Sequence, residues 1–535
     1  HEQWWLPLLW ISYMADVDVF GPGPHGHHLG NVLLHAANAA LLFWALFRMT
    51  GSRWRSAFVA ALFAWHPTRV EAVAWITARK DVLSGLFFML ALLAYVRHAE
   101  RPSAKKMGLV FLLMLAGLAS KAILIVLPPI LLLLDYWPLR RARALWGREA
   151  WKEWRPLLGE KAALIALAAA FTGVNLWTHA SGRGTGSHVP LVSRLGLIAP
   201  NYLDYLGKIA APIRLNVVYP ENDRVFWPLA FVAVAALGAA TWAAIRQREK
   251  RPYWATGWLW FVAALFPVIR GVRLGLAQYA DRWSYLPLIG IGIAVAWTAG
   301  ESDSVLRRRW LRVAGAVVLL ACLAQTSRQL RWWRDSLTLF SRAAALAPES
   351  PVARNCIGQA LYAAGRHAEG AAHMQAAIQL DPANAEYVSN LGVGLLRLGR
   401  AREALALHDE AIRREPDRSI FHVNRGNALA ELGRPGEAEE AFRRALALQP
   451  DNAEAHFNLG GILFRAGKAQ EALPHYEAAV RGMPGGAMNW FNLGMAYAQL
   501  GRYAEARPCV ERALRIDPEL PVARSALMRL QSMGY

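Results

Sequence analysis

Apolar residues fall in ten blocks along the first three-fifths of the chain, roughly at 30–48, 55–65, 81–97, 107–119, 121–137, 161–177, 226–245, 254–269, 283–300 and 310–327. Blocks this uniform carry no wet face, which predicts helices in hydrocarbon and a polytopic membrane bundle of about ten crossings. Basic clusters punctuate them at Arg48/Arg53/Arg55, Arg97/Arg101/Lys105/Lys106, Arg140/Arg141/Arg143, Arg246/Arg248/Lys250/Arg251 and Arg307/Arg308/Arg309. Strict alternation puts all five on one side, and the bias of basic residues toward the cytoplasm names that side. The run 107–137 decides the count. One tilted helix would send its flanking clusters to opposite faces, whereas two short helices hinged at Ser120-Lys121 keep both cytoplasmic and hold Lys121 at the outer interface, avoiding about 3 kcal/mol for a charge at mid-bilayer. The threading makes 1–29, 66–80, 178–225, 270–282 and everything after 327 extracytoplasmic. Segments 66–80 and 190–214, apolar but charged, read as interfacial helices.

Beyond residue 327 the pattern changes to a strict repeat. Pro348, Pro382, Pro416, Pro450, Pro484 and Pro518 stand 34 residues apart, as do Gly358, Gly392, Gly426, Gly460 and Gly494. That period marks a tetratricopeptide (TPR) solenoid of paired helices. Five full repeats span about 351–520, after a half-repeat at 331–348 and before an Arg-rich cap. Ala404, Ala438, Ala472 and Ala506 permit close helix packing, and Phe442 and Tyr476 fill the next layer. Asn390, Asn424, Asn458 and Asn492 recur on the first helix of each unit, two residues before the repeat glycine. An amide ladder of this kind can hydrogen-bond an extended backbone without reading its side chains, the alternative being that Asn-Leu-Gly is ordinary repeat consensus; Cys356 breaks it in the first repeat. The expected fold is all-α, with 1–327 a multipass membrane unit, 328–350 a linker and half-repeat, and 351–535 the solenoid and cap.

With 535 residues and 55% hydrophobic content the chain exceeds one ordinary soluble domain. Its net charge of +20 belongs to the first part: from residue 349 onward 21 Lys and Arg balance 21 Asp and Glu, leaving 38 against 18 before it. The excess is an orientation signal and disfavours nucleic-acid binding. Cys322, Cys356 and Cys509 are too far apart for a disulfide framework. Arg outnumbers Lys 50 to 9, which suggests a GC-rich bacterial genome. The chain starts at His1 within a Trp-rich stretch, so a preceding segment is expected.

Candidate chemistry sits on the outer loops. Arg270, Arg273 and Arg282 fall where basic residues should be scarce. Together with Arg79, Lys80 and Lys121 they suit a lipid-linked phosphate, because guanidinium forks match phosphate oxygens; the alternative is contact with phospholipid headgroups or pairing with Asp81 and Asp281. His66 and Glu71 are candidates for acid-base work, against a helix-ending role for a His before Pro. His25, His27 and His28 resemble a metal tract, but Gly/Pro neighbours predict a turn and no metal is expected.

The strings WLPLLWISYMADVDVFGPGPHGHHLGNVLLHAANAALL, HPTRVEAVAWITARKDVLSGLFFMLALLAY, ASKAILIVLPPILLLLDYWPL and ADRWSYLPLIGIGIA resemble bacterial multipass proteins with TPR tails that are similar to the transmembrane TPR O-mannosyltransferases, of the GT-C glycosyltransferase class. The resemblance implies transfer of a mannose-like sugar from a polyprenyl-phosphate donor to a protein Ser/Thr on the extracytoplasmic face of a bacterial inner membrane. The lipid-linked sugar is then the donor substrate, no further cofactor is expected, and the solenoid binds the acceptor polypeptide. In that class the catalytic carboxylate lies in the first outer loop, which would precede His1. Asp16 and Asp18 are the local substitutes, each otherwise a turn residue before GPGP. Arg270, Arg273 and Arg282 would stabilise the leaving phosphate. The alternative is a non-enzymatic membrane scaffold for envelope assembly, although ten crossings exceed what an anchor needs. A transporter is weaker still, since charges avoid helix centres.

Overall fold

A computed structural model describes residues 6–21, 23–143, 148–181, 190–219, 225–269, 279–301 and 304–535. Among these the chain is all-helical, with no strand. It divides into two compact units, His1–Leu346 and Ala347–Tyr535.

The first unit comprises α1 (Pro7–Phe20), α2 (Pro24–Thr50), α3 (Arg53–Trp65), α4 (Val70–Ala74), α5 (Arg79–Glu100), α6 (Ala104–Leu118), α7 (Leu127–Tyr136), α8 (Arg148–Ser181), α9 (Leu191–Ala210), α10 (Trp227–Arg246), α11 (Pro252–Leu265), α12 (Pro287–Ala299), α13 (Val305–Leu330) and α14 (Ser336–Leu346). Each of the ten apolar blocks is a helix. Five helical stretches, Pro24–Thr50, Ile76–Glu100, Ala150–Trp177, Trp227–Arg246 and Val305–Trp333, are long and apolar enough to cross a membrane by length and composition, which fits a membrane protein. The other five blocks (α3, α6, α7, α11 and α12) are shorter.

Several helix ends of the first unit meet. At one end Arg48 donates to Glu100, Arg55 to the Gly300 carbonyl at 2.8 Å, and the Tyr136 hydroxyl to the Arg248 carbonyl at 2.9 Å, while Arg251 pairs with Glu301 at 3.0 Å. Arg48, Arg55 and Arg251 are thereby brought to the same end of the unit. The break at Ser120-Lys121 is present: α6 stops at Leu118, and the chain reverses so tightly that Leu124 lies over Gly117. α11 and α12 cross at Gly257 and Gly290, where a Cβ on Gly257 would lie 2.4 Å from the Gly290 carbonyl.

Three local expectations are corrected. Asp16 and Asp18 lie on α1, not in a turn; the helix runs on to Phe20 and ends at Gly21 with φ 80°. His25, His27 and His28 lie at the start of α2, because Pro24 opens that helix with its fixed φ and a missing N–H that would be unbonded anyway. Segment 66–80 is not one amphipathic helix. Short 3-10 turns at Pro67–Arg69 and Ile76–Ala78 flank the single-turn α4, and Val70 and Glu71 are buried.

The second unit stacks five helix pairs: α15 (Pro351–Ala363) with α16 (His367–Leu380), α17 (Ala385–Arg397) with α18 (Ala401–Arg414), α19 (Ser419–Glu431) with α20 (Pro435–Leu448), α21 (Ala453–Arg465) with α22 (Ala469–Gly482), and α23 (Ala487–Gln499) with α24 (Tyr503–Ile516), closed by α25 (Pro521–Ser532). Each pair turns at a glycine of positive φ: Gly365, Gly399, Gly433, Gly467 or Gly501. Ala404, Ala438, Ala472 and Ala506 are fully buried, and Phe442 and Tyr476 are nearly so. Each repeat glycine faces the second helix of its own pair; a Cβ on Gly426 would lie 2.5 Å from Phe442.

Candidate functional site

At the end of the first unit opposite the basic clusters, the segment after α3, the start of α5, the hinge before α7, α9 and the segment before α12 bring charged side chains into low-dielectric surroundings. His66 ends α3. Its Nδ1 accepts from the Thr68 backbone N–H, leaving Nε2–H to donate to the Ile209 carbonyl at 3.0 Å. Burial, with Arg69 nearby, holds the imidazole down at about 4, so His66 is neutral near pH 7 and acts as a helix stop.

Four salt-bridged groupings follow. Lys121 pairs with Asp81. Arg282 pairs with Glu71 through its guanidinium, and its backbone N–H donates to the second carboxylate oxygen at 2.9 Å; Trp75 lies beneath the guanidinium. Asp281 accepts from the Tyr219 hydroxyl at 2.7 Å and sits 3.4 Å from Lys208, whose ammonium lies 3.5 Å from the centre of the Tyr219 ring and 3.9 Å from that of Tyr279. Arg79, fully buried, donates to Asn31 at 2.8 Å and to the carbonyls of Ser12 and His27, pairs with Asp16 and lies over the Tyr13 ring. Arg69 is buried between Phe63 and Tyr285; its Nη2 donates to the Ser284 carbonyl at 2.9 Å, while its Nε and Nη1 have no partner among the described residues.

Asp81, Ser84, Lys121, Arg282, Trp283 and Tyr285 line a narrow cleft. Of the cations expected at a phosphate site, Lys121 and Arg282 meet here, with Lys80 close enough to act on Lys121 electrostatically. Arg79 belongs to the Asp16 grouping and is saturated. Arg270 and Arg273 lie outside the described residues. Asp81 does take Lys121, but Arg282 chooses Glu71 and not Asp281. Asp16 is held by Arg79 and His27, the latter at 3.0 Å, and Asp18 is exposed on α1.

Burial shifts these groups in the expected directions. It drives Glu71 up, with Arg282 opposing; it raises Asp281 against Lys208; it lowers Lys121 and Lys208 despite their carboxylates. Sequence reading missed Arg69, Lys208 and Tyr219 as members. The only local signal was charge inside apolar segments, for Lys208 and Asp281 are 73 positions apart in the chain.

In the second unit the asparagines stand on the first helices as expected, all half-buried. Part of the ladder is used internally: the amide nitrogens of Asn390, Asn424 and Asn458 donate to Asn355 at 3.1 Å, to Ser389 at 3.0 Å and to Asn427 at 2.9 Å in the preceding repeat. The first repeat therefore contributes Asn355, one residue before Cys356.

Comparison with known proteins matches the tetratricopeptide part of the chain. Tetratricopeptide repeat models match residues 323–385, 390–452, 423–487 and 487–520. Protein O-mannosyl-transferase TMTC2 of Mus musculus is 38% identical over 94 residues, 18% of this chain and 11% of that protein. Protein O-mannosyl-transferase Tmtc1 of Drosophila melanogaster is 36% identical over 117 residues, 22% of this chain and 14% of that protein. The aligned part thus spans little more than a tenth of these relatives. Among solved structures, YrrB, described as a TPR protein with an unusual peptide-binding site, is 24% identical over 35% of this chain and 96% of its own, with a TM-score of 0.28. MamA from Desulfovibrio magneticus RS-1 is 28% identical over 28% of this chain and 85% of its own, with a TM-score of 0.27. The carboxy-terminal unit is a tetratricopeptide repeat array, in a chain whose homologues include the TMTC protein O-mannosyl-transferases.

Proposed function

We propose that this chain works as a membrane glycosyltransferase of the GT-C class, moving a mannose-like sugar from a polyprenyl-phosphate donor to a Ser/Thr hydroxyl of a polypeptide held by the repeats, on the extracytoplasmic face of a bacterial inner membrane. One observation carries the reading. The connected cluster at the outer end sets five cations, Arg69, Lys80, Lys121, Lys208 and Arg282, against four carboxylates, Glu71, Asp81, Asp204 and Asp281. In surroundings that hydrate charge poorly, such an excess favours an anion, and a phosphate at headgroup depth satisfies it.

In this mechanism the acceptor oxygen attacks the anomeric carbon, the bond from that carbon to the phosphate oxygen breaks, and the acceptor proton passes to a carboxylate. Lys121 and Arg282, flanked by Lys80, face the leaving phosphate and stabilise its growing charge. Arg79 works one step back, orienting Asp16. Asp16 is the local candidate for the base, since Arg79 and His27 fix its direction, and Asp18 lacks any such support.

Arg282→Ala in the full-length protein tests this. Turnover of lipid-linked mannose is expected to fall about 100-fold or more, the scale of losing one charge-stabilising donor, with membrane insertion unchanged. Unchanged turnover removes the phosphate assignment. A scaffold reading is favoured by the pairing of Lys121 and Arg282 with carboxylates; it requires that no turnover be found in the wild type.

A further inference from the structure

The asparagine ladder is not uniform, and the reason is written in the residues behind it. Asn390 and Asn424 each reach the residue 35 positions back, Asn355 and Ser389, which accept. For Asn458 that position is Val423, so its amide turns to Asn427, 31 positions back. For Asn492 both places fail: 35 back is Phe457 and 31 back is Gly461. The Asn492 amide accordingly has no partner among the described residues, and it lines a pocket of about 310 Å³ with Asn427 and Asn458.

That pocket exists because of Gly461. The equivalent position carries Gln359, Val393, Asn427 and Met495 in the other four repeats. The missing side chain leaves open space: a Cβ there would meet only Arg465 Nη1 at 3.6 Å and the Tyr476 hydroxyl at 3.9 Å. The floor and walls are aromatic, from Phe442, Phe457, Phe464 and Tyr476, and the one charge at the rim is Arg465.

We infer that repeats three to five hold a side-chain subsite for an extended polypeptide bearing an aromatic or large aliphatic residue. The side chain enters the space left by Gly461, while the free Asn492 amide and the Asn458 carbonyl oxygen meet the peptide group beside it. An unpartnered primary amide offers both a donor and an acceptor, as a backbone peptide group requires, and the uncharged aromatic lining selects an apolar side chain over a charged one. Asn390 and Asn424 are struts between repeats. This deepens the acceptor-binding part of the reading above and rests on it.

The test uses the full chain in detergent, without any donor, and two short synthetic peptides of Ser, Thr and Ala that differ only in one carrying a single Phe. Fluorescence anisotropy is expected to show the Phe peptide binding more tightly. Gly461→Val installs the residue of the second repeat; it should weaken the Phe peptide about tenfold and abolish the preference, with the melting temperature kept. Asn492→Ala should weaken both peptides about threefold to tenfold, and Asn390→Ala neither. The subsite is overturned if Gly461→Val binds both peptides as wild type does, if Asn390→Ala weakens binding as much as Asn492→Ala, or if the wild type shows no preference. Peptide preference without sugar turnover would leave the subsite standing and remove the transferase reading instead.

Discussion

Glu71 receives both the backbone N–H and the guanidinium of Arg282, 211 positions later, and so ties the segment after α3 to the segment before α12. One carboxylate thereby fixes the cation that the proposed mechanism aims at phosphate. Glu71→Gln keeps the shape but strips the charge partner, leaving a buried guanidinium uncompensated. A loss of about 3 kcal/mol is expected, and a double-mutant cycle with Arg282→Met should recover much of it. Additive losses in thermal or denaturant unfolding would mean that the pair is not coupled.

Gly30 lets α2 pass the Arg79 grouping. A Cβ there would lie 2.6 Å from Arg79 Nη2 and 3.0 Å from Asp16 Oδ2, both held by other bonds. Gly30→Ala should therefore destabilise the first unit by about 2 kcal/mol, although Ala is the better helix former. Stability equal to or above wild type would show that the grouping yields easily.

Gly426 and Phe442 are a matched pair of the third repeat. Gly426→Ala places a methyl 2.5 Å from the buried ring and should cost about 1 to 3 kcal/mol. Combining it with Phe442→Leu should relieve part of the loss. Failure of the second change to help, read by thermal unfolding of the repeats, would locate the strain elsewhere.

His408 occupies in the second repeat the place of Phe442 and Tyr476. It is fully buried, 3.3 Å from Ser389 Oγ, and its Nε2 has no partner among the described residues. Burial lowers its pKa to about 4 from an ordinary 6.5, against a small opposing pull from Asp409. Below 6.5 the unfolded chain takes up a proton that the folded repeat refuses, so stability falls as pH drops from 6.5 toward 4. Between pH 7 and pH 5 the loss is about 2 kcal/mol. His408→Phe should remove this component and flatten the pH profile of unfolding; an unchanged slope would show that His408 is hydrated.

Periodicity and uniform hydrophobicity act over neighbouring positions, so they are fully present in the chain. The 34-residue step dictated the paired helices, the glycine turns and the stacked alanines, and the ten apolar blocks each became a helix. The hinge at Ser120-Lys121 was legible too, because a charge between apolar runs has few places to go. Helix starts near proline were less so: Pro7 and Pro24 open helices where GPGP and the aspartates before it suggested a turn.

Which charge meets which was not written locally. Arg282 had two acidic candidates in the sequence and took a third, Glu71, and Lys208, Tyr219 and Asp281 joined only when α9 packed beside the segment before α12. The ladder looked equivalent at four positions, yet its fourth member is free because Phe457 and Gly461 happen to lie behind it. Sequence alone determined the helices and the repeat, since backbone hydrogen bonding and burial of an apolar face are satisfied by near neighbours. Tertiary structure alone decided the partners of the buried polar groups, since a desolvated charge or amide must pair with whatever the packing brings within reach, however far away in the chain.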